Sequence, residues 1–110
     1  VIEFKTSIRD KQIDFELKGH AGFCALTNGM DVVCAMVSVL GQTAFVGCQE
    51  HSKSRDFKVK KLDEGVLSFT CRRTVATEAI VRSVVVGIKQ VRLQFPLCFK
   101  DGEKKILWMD

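Results

Sequence analysis

Polar and apolar positions alternate with period two through Ile2, Phe4, Thr6 and Ile8, and again through Ile13, Phe15 and Leu17. Alternation of this kind gives an extended chain one buried face, so both segments predict strands. The polar run Arg9–Asp10–Lys11 between them predicts a hairpin. From Gly19 to Gly29 the pattern fails: three glycines and an Asn-Gly pair predict a loop. Asp31 then precedes an apolar stretch that runs to Val46. Val32, Val33, Ala35, Met36, Val37, Val39, Leu40, Ala44 and Phe45 leave it almost no polar side. Its length favours a helix, and a helix apolar nearly all round is a buried one.

Alternation returns in the rows Phe57, Val59, Lys61 and Leu67, Phe69, Cys71, separated by the turn residues Asp63–Glu64–Gly65. These rows predict a second hairpin. From Thr77 the period changes again. Ile80, Val81, Val84, Val85, Ile88 and Val91 share one helical face, with Thr74 or Thr77 as the capping candidate. Pro96 lies past the end of this helix. Ile106, Leu107 and Trp108 predict a last short strand after a turn at Asp101–Gly102. The element order is therefore ββαββαβ. Hairpins build an antiparallel sheet, and two apolar helices can cover one of its faces. The expected fold is a two-layer α+β domain over residues 1–110, with the sheet order left open.

Composition narrows the picture. The chain has 110 residues, 46% hydrophobic and 27% charged, enough for one packed core. A single proline and no Pro/Gly/Ser-rich stretch argue against a linker. No apolar run reads as a bilayer span and the first residues do not resemble a signal peptide, so a cytoplasmic location is expected. The net charge of +4 is mild, and Lys58, Lys60 and Lys61 read as a solvated strand face. Aromatics do not interleave with these charges, which weighs against direct nucleic-acid binding. Five cysteines at irregular spacing make a poor disulfide framework and favour free thiols.

Candidate chemistry centres on Cys34. A thiol attacks carbonyls as the thiolate, a form favoured at a helix N-terminus or beside a protonated histidine. With Asp31 as the N-cap, Cys34 falls in the first turn, where unpaired amides could also hold an oxyanion. His20 follows the second strand, and the glycine-containing loop after it can bring the chain back to Asp31. Gly19 and Gly22 leave room for a substrate backbone. Cys24 is a weaker nucleophile candidate because no helix precedes or follows it closely. Cys48, Cys71 and Cys98 read as core, and His51 as a solvated loop residue. A metal site from His20, Cys24 and Cys34 lacks a fourth ligand and the usual spacing, so no metal or cofactor is expected.

Two segments carry a family resemblance. Gly19-His20-Ala21 and Asp31-Val32-Val33-Cys34-Ala35-Met36-Val37-Ser38 resemble the signature of the Prp (YsxB-like) ribosomal-processing cysteine proteases. Leu40-Gly41-Gln42-Thr43 continues the match less specifically. The resemblance implies a homodimer, a catalytic His20–Cys34 dyad and a helix-start role for Asp31. It places Gly19, Ala21, Gly22, Gly29 and Ser38 around the substrate. The implied reaction removes a hydrophobic, aromatic-rich N-terminal extension from ribosomal protein L twenty-seven of the large subunit. One departure is the loop from Ala21 to Met30, which is longer than the family norm and carries Cys24 and Leu26. The alternative reading is a non-catalytic ribosome- or RNA-associated module.

Overall fold

The computed structural model describes residues 2–19, 30–63 and 65–100. Four strands form one antiparallel sheet: β1 (Glu3–Ile8), β2 (Gln12–Lys18), β3 (Phe57–Asp63) and β4 (Val66–Arg72). Their spatial order is β1-β2-β4-β3. Both predicted hairpins form, and the second docks through β4 against β2, with Phe15 opposite Phe69. The expected last strand lies outside the described residues. Phe99 instead makes a parallel bridge to Ile2.

One face of the sheet is apolar because period-two residues meet across strands. Phe4 packs edge-on to Phe15, Phe15 stacks on Phe69, and Phe69 stacks on Phe57, each pair about one ring diameter apart at 5.1–5.2 Å between centroids. Thr6 sits in this buried row because its hydroxyl donates to the Asp14 carbonyl at 2.9 Å. The opposite face is polar and mixed in sign. Lys60 pairs with Asp14, Lys18 with Glu16 and Lys100 with Glu3.

The row through β3 departs from simple alternation. Val59 pairs with Phe69, but Lys61 pairs with Ser68 and Leu62 with Leu67, so the register shifts between Val59 and Lys61. A bulge adds one residue to a strand and so re-aims everything after it. Leu62, rather than the expected Lys61, therefore joins Phe57 and Val59 on the apolar face.

Both helices cover that face. α1 spans Met30–Glu50 and α2 spans Val75–Gln94. α2 starts two residues earlier than its apolar period suggests. Thr74 is the cap, its side chain accepting from the Thr77 amide, and the Thr77 hydroxyl accepts from the Thr74 amide in return. This reciprocal pairing satisfies two amides that have no helical partner. The two helices run antiparallel and close together: a Cβ on Gly87 would come within 2.7 Å of Leu40, while Gly47 faces Ile80. Val33, Val37, Ala44 and Cys48 of α1 join Val81, Val84, Val85, Ile88 and Val91 of α2 in one core with the sheet.

α1 corrects two expectations. Its window Val32–Glu50 has a mean hydropathy of 1.6, long and apolar enough by length and composition to cross a membrane. It also begins at Met30, so Asp31 stands inside the helix rather than at its cap. Two short 3-10 turns, Ser54–Asp56 and Pro96–Cys98, complete the described chain. Cys98 is disulfide-bonded, contrary to the expectation of free thiols throughout. Such a bond depends on Cα proximity in the fold, which irregular spacing along the chain does not reveal.

Candidate active site

α1 runs parallel to β4 across the apolar face. Gly41 lies against Leu17 and Leu67, Phe45 packs on Phe57 and Phe69, and Cys48 meets Cys71. Going backwards from Gly41, the first turns of α1 reach the end of the sheet where β2 stops and β3 turns into β4. A cleft of about 290 Å³ opens there. Cys34, Ser38, Gly41 and Gln42 of α1 form one wall. The β3–β4 hairpin supplies Leu62, Asp63, Gly65, Val66 and Leu67. Ile2, Leu17 and Gly19 close the side under β1 and β2.

The backbone at this end is tied down. The Gly19 amide donates to the Gly65 carbonyl at 2.8 Å, joining the end of β2 to the hairpin turn. Both residues have positive φ, 97° and 77°, a region that side-chain-bearing residues avoid. Glycine at both positions thus lets two strand ends meet beside Cys34.

The cysteines separate by environment. Among the described residues Cys34, Cys48 and Cys71 are free, and Cys34 alone of these is not buried. Contact with the Cys71 sulfur, and burial after it, push the Cys48 thiol far above the ordinary range. Cys48 and Cys71 are core thiols, as the sequence suggests. Cys34 half-faces the cleft, and Ser38, one turn later, is exposed on the same wall.

The helix start alters one expected role. Counting from Met30, Cys34 is the fifth helical residue. An amide at that position bonds back to the carbonyl four residues earlier, so the amide of Cys34 is not one of the unpaired donors. An oxyanion therefore has to be held by other donors. Asp31 is the second residue of α1.

His20, Ala21, Gly22, Cys24 and Gly29 lie outside the described residues. The chain nevertheless constrains the histidine question. It contains two histidines. His51 sits past the far end of α1, its Nδ1 2.9 Å from the Gly47 carbonyl. At helical rise this is roughly 25 Å from Cys34. His20 is bonded directly to Gly19, which lines the cleft. Among the described residues no cluster of three or more His, Cys, Asp or Glu could hold a metal.

Leu62, Asp63, Val66 and Ile2 line the cleft and were not foreseen from the sequence. Their placement depends on β4 lying between β2 and β3, which local pattern does not encode. The turn residues Asp63–Glu64–Gly65 were the available signal, but they mark a turn and not its neighbour.

The comparisons with known proteins bear on this geometry. The family described as cysteine protease Prp matches residues 1–100. The fold is similar to the essential ribosomal processing protease Prp from S. aureus in complex with a covalently linked product peptide. That match has a TM-score of 0.67 and 18% identity, and covers 100% of both chains. The same protease in complex with a substrate peptide gives 0.60 at 16% identity, covering 100% of this chain and 98% of that one. SMU.848 from Streptococcus mutans gives 0.62 at 18% identity, covering 100% and 96%. No curated protein sequence matches the chain.

Proposed function

The chain belongs to the cysteine protease Prp family, and from that premise we propose that Cys34 is its nucleophile and His20 the general base that serves it. The observation that carries this assignment is the position of Cys34, the free thiol that faces the cleft, across from Gly19, whose chain neighbour is His20. The remoteness of His51 supports the same choice of base.

In the proposed reaction the Cys34 sulfur attacks the scissile carbonyl as His20 takes the thiol proton. His20 then gives that proton to the departing amine, and water releases the acyl group from sulfur. Amides of the first turn of α1, ahead of Cys34, are the helix-borne donors that remain for the oxyanion. The substrate under this reading is the N-terminal extension of ribosomal protein L twenty-seven, as the S. aureus relative is named a ribosomal processing protease. Cytoplasmic residence belongs to the same reading. So does a homodimer: Val32, Val39 and Val46 of α1 and Val86 and Leu93 of α2 are exposed and give a second copy an apolar face to bury.

The mixed-sign pairs on the open sheet face speak against the rival RNA-associated module, which needs a basic surface. Purified protein should cleave an extended precursor of the ribosomal protein. Cys34→Ala and His20→Ala should each lower the rate by about 10⁴-fold or more, with unchanged melting temperature. Sedimentation of the Cys34→Ala protein should give the mass of two chains. Undiminished cleavage by Cys34→Ala would overturn the nucleophile. Undiminished cleavage by His20→Ala alone would overturn the dyad.

A further inference from the structure

The layer of helices stops short of one edge of the sheet. α1 meets β3 where the Phe45 ring packs on Phe57, 5.3 Å between centroids. Further along β3, Val59 and Leu62 project from the same face and remain 47% and 63% exposed. Their cross-strand partners, Phe69 and Leu67, are two residues apart on β4. The bulge at Lys60 absorbs the extra residue, so Val59 and Leu62 stand about 7 Å apart along the strand. That is the spacing of alternate side chains on an extended peptide. Leu62 also lines the cleft that holds Cys34, and Ser38 and Gln42 of α1 face it across that cleft. The apolar ledge is thus continuous with the candidate active site.

Resting on the proteolytic reading above, we infer that Leu62 and Val59 are specificity-determining residues that hold two alternate apolar side chains of the leader, on the N-terminal side of the scissile bond. Leu62, at the cleft, takes the nearer of the two, and Val59 the one two residues further out. The apolar character of the ledge selects an apolar leader over a charged segment. Lys58 and Lys61 lie opposite Thr70 and Ser68 on the other face of the sheet, where Lys60 pairs with Asp14, so the ledge itself carries only apolar side chains. A ledge of two apolar side chains gives a charged segment nothing to pair with and costs it its hydration. An apolar leader meets no such penalty. The bulge has a purpose in this arrangement: in strict alternation Lys61 would occupy the place of Leu62.

The test separates docking from cleavage. A fluorescent synthetic peptide with Phe at two alternate positions before the junction is bound to the Cys34→Ala protein. The dissociation constant should rise about tenfold or more with Leu62→Asp and less with Val59→Asp. Replacing the nearer Phe by Ser should weaken binding to the Leu62 protein but cost little further in Leu62→Asp. Leu62→Ser, with thermal melting as the control, guards against a folding defect. Equal affinity of Leu62→Asp, or fully additive losses with the Ser peptide, would overturn the inference. If the wild-type chain fails to cleave the peptide but binding still depends on Leu62, the docking site stands and the proteolytic reading falls. If cleavage proceeds and KM is indifferent to Leu62, the reading stands and the docking site falls.

Discussion

The two helices are nearly equal in length but are built for different work. α2 has a defined beginning and a buried stripe, and its outer side mixes charged residues with the exposed Val86 and Leu93. Its first turn carries the Thr74–Thr77 capping pair, and Glu78 accepts from the Arg73 guanidinium at 2.7 Å and the Arg82 guanidinium at 2.8 Å. α1 has little of this. Its residues are apolar on almost every side, and Val32, Val39 and Val46 stay exposed. Its first turns reach the end of the sheet and present Cys34 and Ser38 to the cleft. The contrast teaches that one helix braces the core while the other holds a reactive group at an open end. Substitutions along α2 and in the aromatic row should change stability, and those at the start of α1 should change chemistry.

The aromatic row gives the sharpest break of that division. Phe69 is fully buried and touches Phe15, Phe45 and Phe57. Phe69→Ala leaves a cavity between both layers and should cost about 3–5 kcal/mol, read from the midpoint of denaturant unfolding. Because Phe45 of α1 rests on it, the same change should also loosen the helix that carries Cys34. Folded Phe69→Ala protein with a Cys34 alkylation rate equal to wild type would show that α1 is held independently of the row.

A smaller effect is expected at the start of α2. Thr74→Ala removes the acceptor for the Thr77 amide and leaves the buried Thr77 to the Arg72 carbonyl, 2.8 Å away. The expected loss is about 1 kcal/mol, seen as a lower melting temperature with unaltered cleavage of the precursor. A change in kcat would mean that the brace and the reactive helix are not separate.

Much of this division can be read in the sequence, and the remainder has physical reasons for being hidden. Both hairpins and α2 follow from periodicity, since Phe15, Phe69 and the Val81–Val91 stripe each repeat at the spacing of their element. α1 follows from length and composition, but its start does not. Asp31 is a good cap by residue type, yet the helix takes in Met30 as well, and that moves Cys34 out of the range of unpaired amides. The cleft is hidden for a different reason. It is built where β2 meets the β3–β4 turn, a contact between residues far apart in the chain. The Lys60 bulge is hidden too, because a run of three residues with two lysines carries no mark of which one is left over. Cys34 as a candidate comes from a motif, whereas Leu62 beside it comes only from the fold.

The least disruptive test of the brace is electrostatic. The Arg73 guanidinium first, and Arg82 after it, hold the Glu78 carboxyl below its ordinary pKa of 4.5. A carboxylate whose pKa is lower in the folded chain than in the unfolded one stabilises the fold above its unfolded pKa. That stabilisation is lost as pH falls through the folded value, where the carboxylate is protonated in both states. Glu78→Gln should therefore cost a fraction of a kcal/mol to about 1 kcal/mol at neutral pH, because the pairs lie near the surface. The gap from wild type should close as the solution is acidified below the ordinary carboxylate range. It should also narrow in concentrated salt, which screens both arginines. Unfolding midpoints at neutral and acid pH decide the matter. A gap of the same size at both would mean that shape and hydrogen bonding at position 78, rather than its charge, fasten α2 to the turn at Arg73.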